Sequence, residues 1–226
     1  MTEVVLAALK EMMHAIAAGL LMPTIAVLLA LLALSVVELG GLLVEAFAER
    51  PRMKVKVPEL IASFQGKEIE EIIERIEASG LFRRQKAAIV ELINHRDLPA
   101  SSLQALARRL ITSEELYYVR ITNRTDLVTR LGPMLGLMAT LIPLGPGLIA
   151  LSQGDTKTLA DSLLTAFDAT VAGLAAGGIA FAISRLRKRW YEDYLSSLET
   201  VMESLMEVLA VEQGLAGQQA LASRRG

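Results

Sequence analysis

Residues Ala15 to Val37 and Leu131 to Gly154 hold no charged side chain, and Ser162 to Ser184 hold one, Asp168. As a helix rising 1.5 Å per residue the first run reaches about 34 Å, enough to cross a hydrocarbon layer of about 30 Å. The pattern therefore predicts three transmembrane helices at 15–47, 131–153 and 162–184, with an outer loop at 154–161. The first run is longer than the apolar stretch of a secretory leader, lacks a strongly basic approach and has no convincing small-residue cleavage site after it, so it is read as a span. Ahead of it, in residues 1–14, Val5, Ala8, Leu9, Met12 and Met13 recur at helical spacing, which predicts an amphipathic segment on the outer surface.

Between the first two spans the pattern changes to that of a cytoplasmic helical domain, residues 48–130. Pro51 and Pro58 bracket a basic extended linker. Ile69, Ile72, Ile73 and Ile76 then repeat at helical spacing against Glu68, Glu70, Glu71, Glu74 and Glu77, a helix with one buried face that Gly80 stops. A second helix is predicted from Phe82 to His95 and a third, after Asp97, Pro99 and Ser101, through Leu110. Thr112 with Glu115 reads as a capping box starting a fourth from Ser113 toward Arg130 and on into the second span despite Pro133, while Pro143 and Pro146 should kink or end that span. After the third span, Trp190, Tyr194, Leu198, Val201, Leu205 and Leu209 share a stripe, so the same rod should extend over 185–213 and leave 214–226 as a flexible tail.

Composition agrees with a membrane protein: 53% of residues are hydrophobic, only 4% are aromatic and the mean hydropathy is +0.44. Of 23 lysines and arginines, one precedes the first span, fifteen fall in 38–130, one in 154–161 and six after 184. Positive charge marks the cytoplasmic side, which puts the amino terminus outside and the carboxyl terminus inside. Arg185, Arg187, Lys188 and Arg189 beside Trp190 and Tyr191 read as a topology anchor at the inner interface. There is no cysteine, and His14 and His95 have no partner at ligand spacing, so neither a metal nor another cofactor is expected. The formal net charge of −2 decides nothing about nucleic acid, and no nucleic-acid partner is expected.

The candidate chemistry lies in the second and third spans. An acid near the bilayer centre costs about 2.5–3.5 kcal/mol on insertion scales, so Asp168 should face protein or water. Ala166, Thr170, Gly173 and Gly177 are spaced four, three and four apart, one stripe of small side chains that lets another helix approach closely; Gly136 and Thr140 offer a matching surface on the second span. Two readings of these faces stand open. They pack the spans together, with the threonines bonded to carbonyls of their own helices, or Thr140 and Thr170 line a polar path. Neither hydroxyl titrates near neutral pH, so neither carries a proton itself.

The second span reads Leu135, Gly136, Leu137, Met138, Ala139, Thr140, and the third reads Ala166, Phe167, Asp168, Ala169, Thr170, Val171, Ala172, Gly173, Leu174. In order and on spans of this orientation they resemble the two pore-helix signatures of the MotA/TolQ/ExbB proton channel family, over roughly Leu131 to Val208. The three-span layout is similar to its ExbB/TolQ branch. The resemblance implies an all-α membrane protein with long cytoplasmic helical extensions. It implies a homopentameric ring in the inner membrane whose pore holds a dimeric, single-span ExbD/TolR/MotB-like partner bearing the main proton-carrying aspartate. The implied role is a non-enzymatic, proton-driven motor subunit that energises an envelope transport or motility machine; a non-conducting helical scaffold is the alternative. Thr140, Thr170 and Thr165 are then pore-lining, with Gly136, Ala166, Gly173 and Gly177 as the close-packing pore face. The family's glutamate, five residues before the third-span threonine, is replaced by Thr165, and the acid stands a turn inward at Asp168. Asp168 is therefore either on the ion path or a structural acid bonded to Thr165 or to a neighbouring subunit. Ala169, before Thr170, offers no second adjacent hydroxyl to replace a sodium ion's shell, which favours protons.

Overall fold

No helix-breaking residue separates Lys10 from Ala15, and the first helix runs unbroken as α1, Thr2–Val44. The outer segment expected as a separate element is thus its first turns. Pro23 withdraws one backbone N–H inside α1, and the Thr24 hydroxyl donates to the Leu20 carbonyl in the same turn (2.7 Å). A π-helical turn, Glu45–Glu49, follows. The computed structural model describes residues 1–49 and 56–223. The expected linker lies partly outside them, Pro51 included, whereas Pro58 opens a short helix, α2 (Val57–Ala62), at a position where a missing N–H costs nothing.

α3 (Ile69–Ala78) and α4 (Arg83–Asn94) match the expected stripes to within a residue or two. The third and fourth predicted helices are one: α5 runs Ala100–Ser152, through Thr112 and through Pro133, Pro143 and Pro146. The capping box at Thr112 and Glu115 is therefore not a helix start, and neither outer proline ends the span. Gly154, at φ +80°, makes the turn into α6, Thr156–Ser223. Asp155 caps it, accepting from the Thr158 backbone N–H (3.1 Å) and hydroxyl, which holds its carboxyl below the ordinary value. The outer loop is shorter than expected, and α6 continues ten residues past the predicted end at Gln213; residues 224–226 of the predicted tail lie outside the described ones.

All regular structure among the described residues is helical, and α1, α5 and α6 are each long and apolar enough to cross a membrane. The protein is an all-α membrane protein with three spans. The chain divides into two units, residues 1–43 with 122–186, and residues 44–121 with 187–226. In the first, Leu28 packs with Ala139 and Ala169, and Leu31 and Leu32 pack on Val128, Ala176 and Ala180. Ser35, 1% exposed, ties α1 to α6 by donating to the Ala176 carbonyl (3.1 Å). In the second, the α3 isoleucines and Ile89, Leu92 and Ile93 of α4 form one core with Leu198, Val201, Met202, Leu205 and Leu209 of α6. Gln85, 2% exposed, joins them, accepting from the Phe82 N–H and donating to the Tyr194 carbonyl (3.0 Å).

Candidate functional site

The second and third spans meet through glycine. A Cβ on Gly173 would lie 2.6 Å from the Gly132 carbonyl oxygen and 2.9 Å from Gly136 Cα. One on Gly177 would lie 2.8 Å from the Pro133 ring, and one on Gly136 3.3 Å from Gly173 Cα and 3.7 Å from Thr170 Cα. Two i, i+4 glycine pairs, Gly132/Gly136 and Gly173/Gly177, thus let the backbones of α5 and α6 touch. The close packing expected of Gly136, Gly173 and Gly177 is here packing within one chain, which leaves no lumen along those three. Ala166, on the same stripe, is 3% exposed.

The hydroxyls bond back to their own helices: Thr140 to the Leu137 carbonyl (2.6 Å), Thr170 to Ala166 (3.0 Å) and Thr165 to Asp161 (3.0 Å). Each oxygen keeps lone pairs for a second partner. Thr140 and Thr170 are half-buried, whereas Thr165 and Asp168 are exposed. Asp168 lies on a face of α6 whose neighbours, Leu164, Phe167, Val171 and Leu174, are all more than half exposed. A carboxylate on such a face, at span depth, needs a polar neighbour, and no described residue of this chain forms a hydrogen bond or ion pair with it.

Sequence reasoning missed a polar group on α5 ahead of Gly132. Thr122, Thr125, Asp126 and Thr129 follow helical spacing on α5, in line with Gly132, Gly136 and Thr140. Thr125 is 1% exposed and donates to the Thr122 carbonyl (2.9 Å), Thr129 donates to the Thr125 carbonyl (2.9 Å), and the Ser184 hydroxyl of α6 donates to the Asp126 carboxylate. The spacing was the available signal.

Arg187 departs from the anchor reading of its cluster. It is 7% exposed and its Nε donates to Glu45 in the π-helical turn (3.2 Å).

A model of the MotA/TolQ/ExbB proton channel family matches residues 67–200, more than half of the chain and including the second and third spans. The chain belongs to this family. No curated protein matches it significantly. The match covers the glycine-packed spans, Thr140 and Thr170, and most of the core that α3 and α4 form with α6. The ExbB/TolQ branch is not separated from the rest of the MotA/TolQ/ExbB family by that match.

Proposed function

We propose that the protein is the ring subunit of an ion-driven motor in the cytoplasmic membrane, with its amino terminus outside and carboxyl terminus inside. Five copies would enclose a pore for a dimeric single-span partner of the ExbD, TolR or MotB kind, whose aspartate is the main proton carrier. The observation that carries this reading is Asp168 and Thr165, exposed at span depth on an apolar face of α6. A lone chain in lipid would leave the Asp168 carboxylate unsatisfied, whereas neighbouring copies or a partner helix would cover it.

In this reading Thr140 and Thr170 line the path, each already anchored by its back-bond and offering an acceptor to water or to the partner acid. Protonation would neutralise that acid and free it from the ring, and its next deprotonation would advance the ring around it. One charge moved through 100 mV supplies about 2.3 kcal/mol, comparable to a small-residue helix contact, so few protons per step suffice. The protein itself performs no covalent chemistry and needs no cofactor. The driven machine would be an envelope transport or motility assembly. A non-conducting scaffold is the second reading, favoured by the back-bonded hydroxyls and by the glycine face being filled within one chain.

Assembly is tested by native mass measurement in mild detergent. A mass five times that of the 24.5 kDa chain is expected; a monodisperse monomer would remove the basis for a motor.

A further inference from the structure

A cavity of about 360 Å³ in the cytoplasmic unit, separate from the threonines, is lined by arginine and aromatic side chains. Its volume is at the small end of ligand pockets, about 300–1,000 Å³. Two of its three arginines are partnered. Arg84 forms a two-bond pair with Glu114 (Nε 3.2 Å, Nη2 2.9 Å) and lies 4.0 Å over the Tyr117 ring, and Arg187 pairs with Glu45. These contacts fix the walls. Arg83 is exposed and has no ion pair among the described residues, so the lining keeps one uncompensated positive charge, and Arg84 Nη1 takes no part in the pair with Glu114.

The lining also includes apolar and aromatic side chains: Phe82, Ile121, Tyr117, whose ring lies under Arg84, and Tyr191, stacked on Tyr118 at 4.4 Å. Arg187 in this lining is three residues past Ser184, the end of the third apolar run, about 5 Å of helix rise along α6. One net positive charge, a guanidinium fork and the apolar and aromatic side chains of the lining suit a phosphodiester monoanion that carries glycerol or acyl methylenes.

We propose that this cavity binds a phosphate ester, and that its source is the headgroup of an anionic phospholipid of the inner leaflet, with Arg83 and the outer edge of Arg84 on the phosphate. The site stands independently of ion flux.

The test uses the full chain in mild detergent, with native mass measurement of adducts formed with phosphatidylglycerol, phosphatidylcholine or soluble glycerol 1-phosphate. Phosphatidylglycerol is expected to bind at least tenfold better than phosphatidylcholine. Arg83→Gln should weaken it about fivefold, the effect of one basic residue at a membrane surface, and Tyr117→Ala should weaken it too. Arg108→Gln, an exposed arginine outside the cavity, should leave it unchanged. If glycerol 1-phosphate binds as tightly, competes with the lipid and shows the same Arg83 dependence, the phosphate chemistry holds and the source is a soluble ester. Equal phosphatidylglycerol binding by Arg83→Gln, Tyr117→Ala and the native chain, or no preference over phosphatidylcholine, overturns the site.

Discussion

Replacing Gly173 by alanine adds one carbon where there is no room for it. The new Cβ would stand 2.6 Å from the Gly132 carbonyl oxygen, 2.9 Å from Gly136 Cα and 3.2 Å from Gly136 N. All three are backbone atoms, so no rotamer change relieves the contact, and α5 and α6 must part by several tenths of an ångström. Overpacking of this kind costs about 1–3 kcal/mol. Alanine also gains about 0.5–1 kcal/mol over glycine inside a helix, which masks part of the loss. Gly178→Ala and Gly40→Ala carry the same gain without the clash, since a Cβ at either meets nothing within 4 Å. The difference between Gly173→Ala and these two isolates the interhelical contact. In denaturant-driven unfolding in mixed micelles, followed by far-ultraviolet circular dichroism, Gly173→Ala should lie about 1–3 kcal/mol below both. Equal stability of the three variants would mean that the two spans do not meet through these glycines.

Arg187→Met should cost about 3–5 kcal/mol in the same unfolding assay because it leaves Glu45 buried without its cation, while the double variant Arg187→Met/Glu45→Leu should recover most of that; additive losses would refute a buried pair. Burial pushes Tyr118 and Tyr191 well above the ordinary tyrosine value near 10. The folded state therefore favours their neutral forms, stability is unaffected below about pH 10 and falls above it, and an absorbance titration should show both ionising only as helix is lost. Tyrosinate formation by all four tyrosines at pH 10 in the folded protein would contradict this. Asp168→Leu should reduce recovery of the assembled ring. A gain of about 2.5–3.5 kcal/mol instead would mean that residue 168 faces acyl chains.

The three spans were legible because an apolar run with at most one charge has few alternatives at such length, and the α3 isoleucines because their period of 3.6 survives burial. The continuity of α5 was not. A capping signal at Thr112 is worth about 1 kcal/mol, and the unbroken helix that buries Leu103 and Ala107 outweighs it. Proline was misread in both directions: Pro58 starts a helix, and Pro143 and Pro146 sit inside one without ending it. The small stripe announced a close helix contact, yet its partner came from Gly132, which lies four residues before Gly136 and drew no notice. Arg187 looked like its neighbours because the residue that distinguishes it, Glu45, is 142 positions away.

The central claim is a proton path along Thr170, and the direct measurement is acidification of proteoliposomes holding the ring and its single-span partner, with sodium varied at fixed pH. Thr170→Val keeps the shape and removes the hydroxyl. The account predicts an intact ring, flux that follows the proton gradient in the native protein, and no partner-dependent flux in the variant. Flux that persists in Thr170→Val, or that tracks sodium, would contradict it.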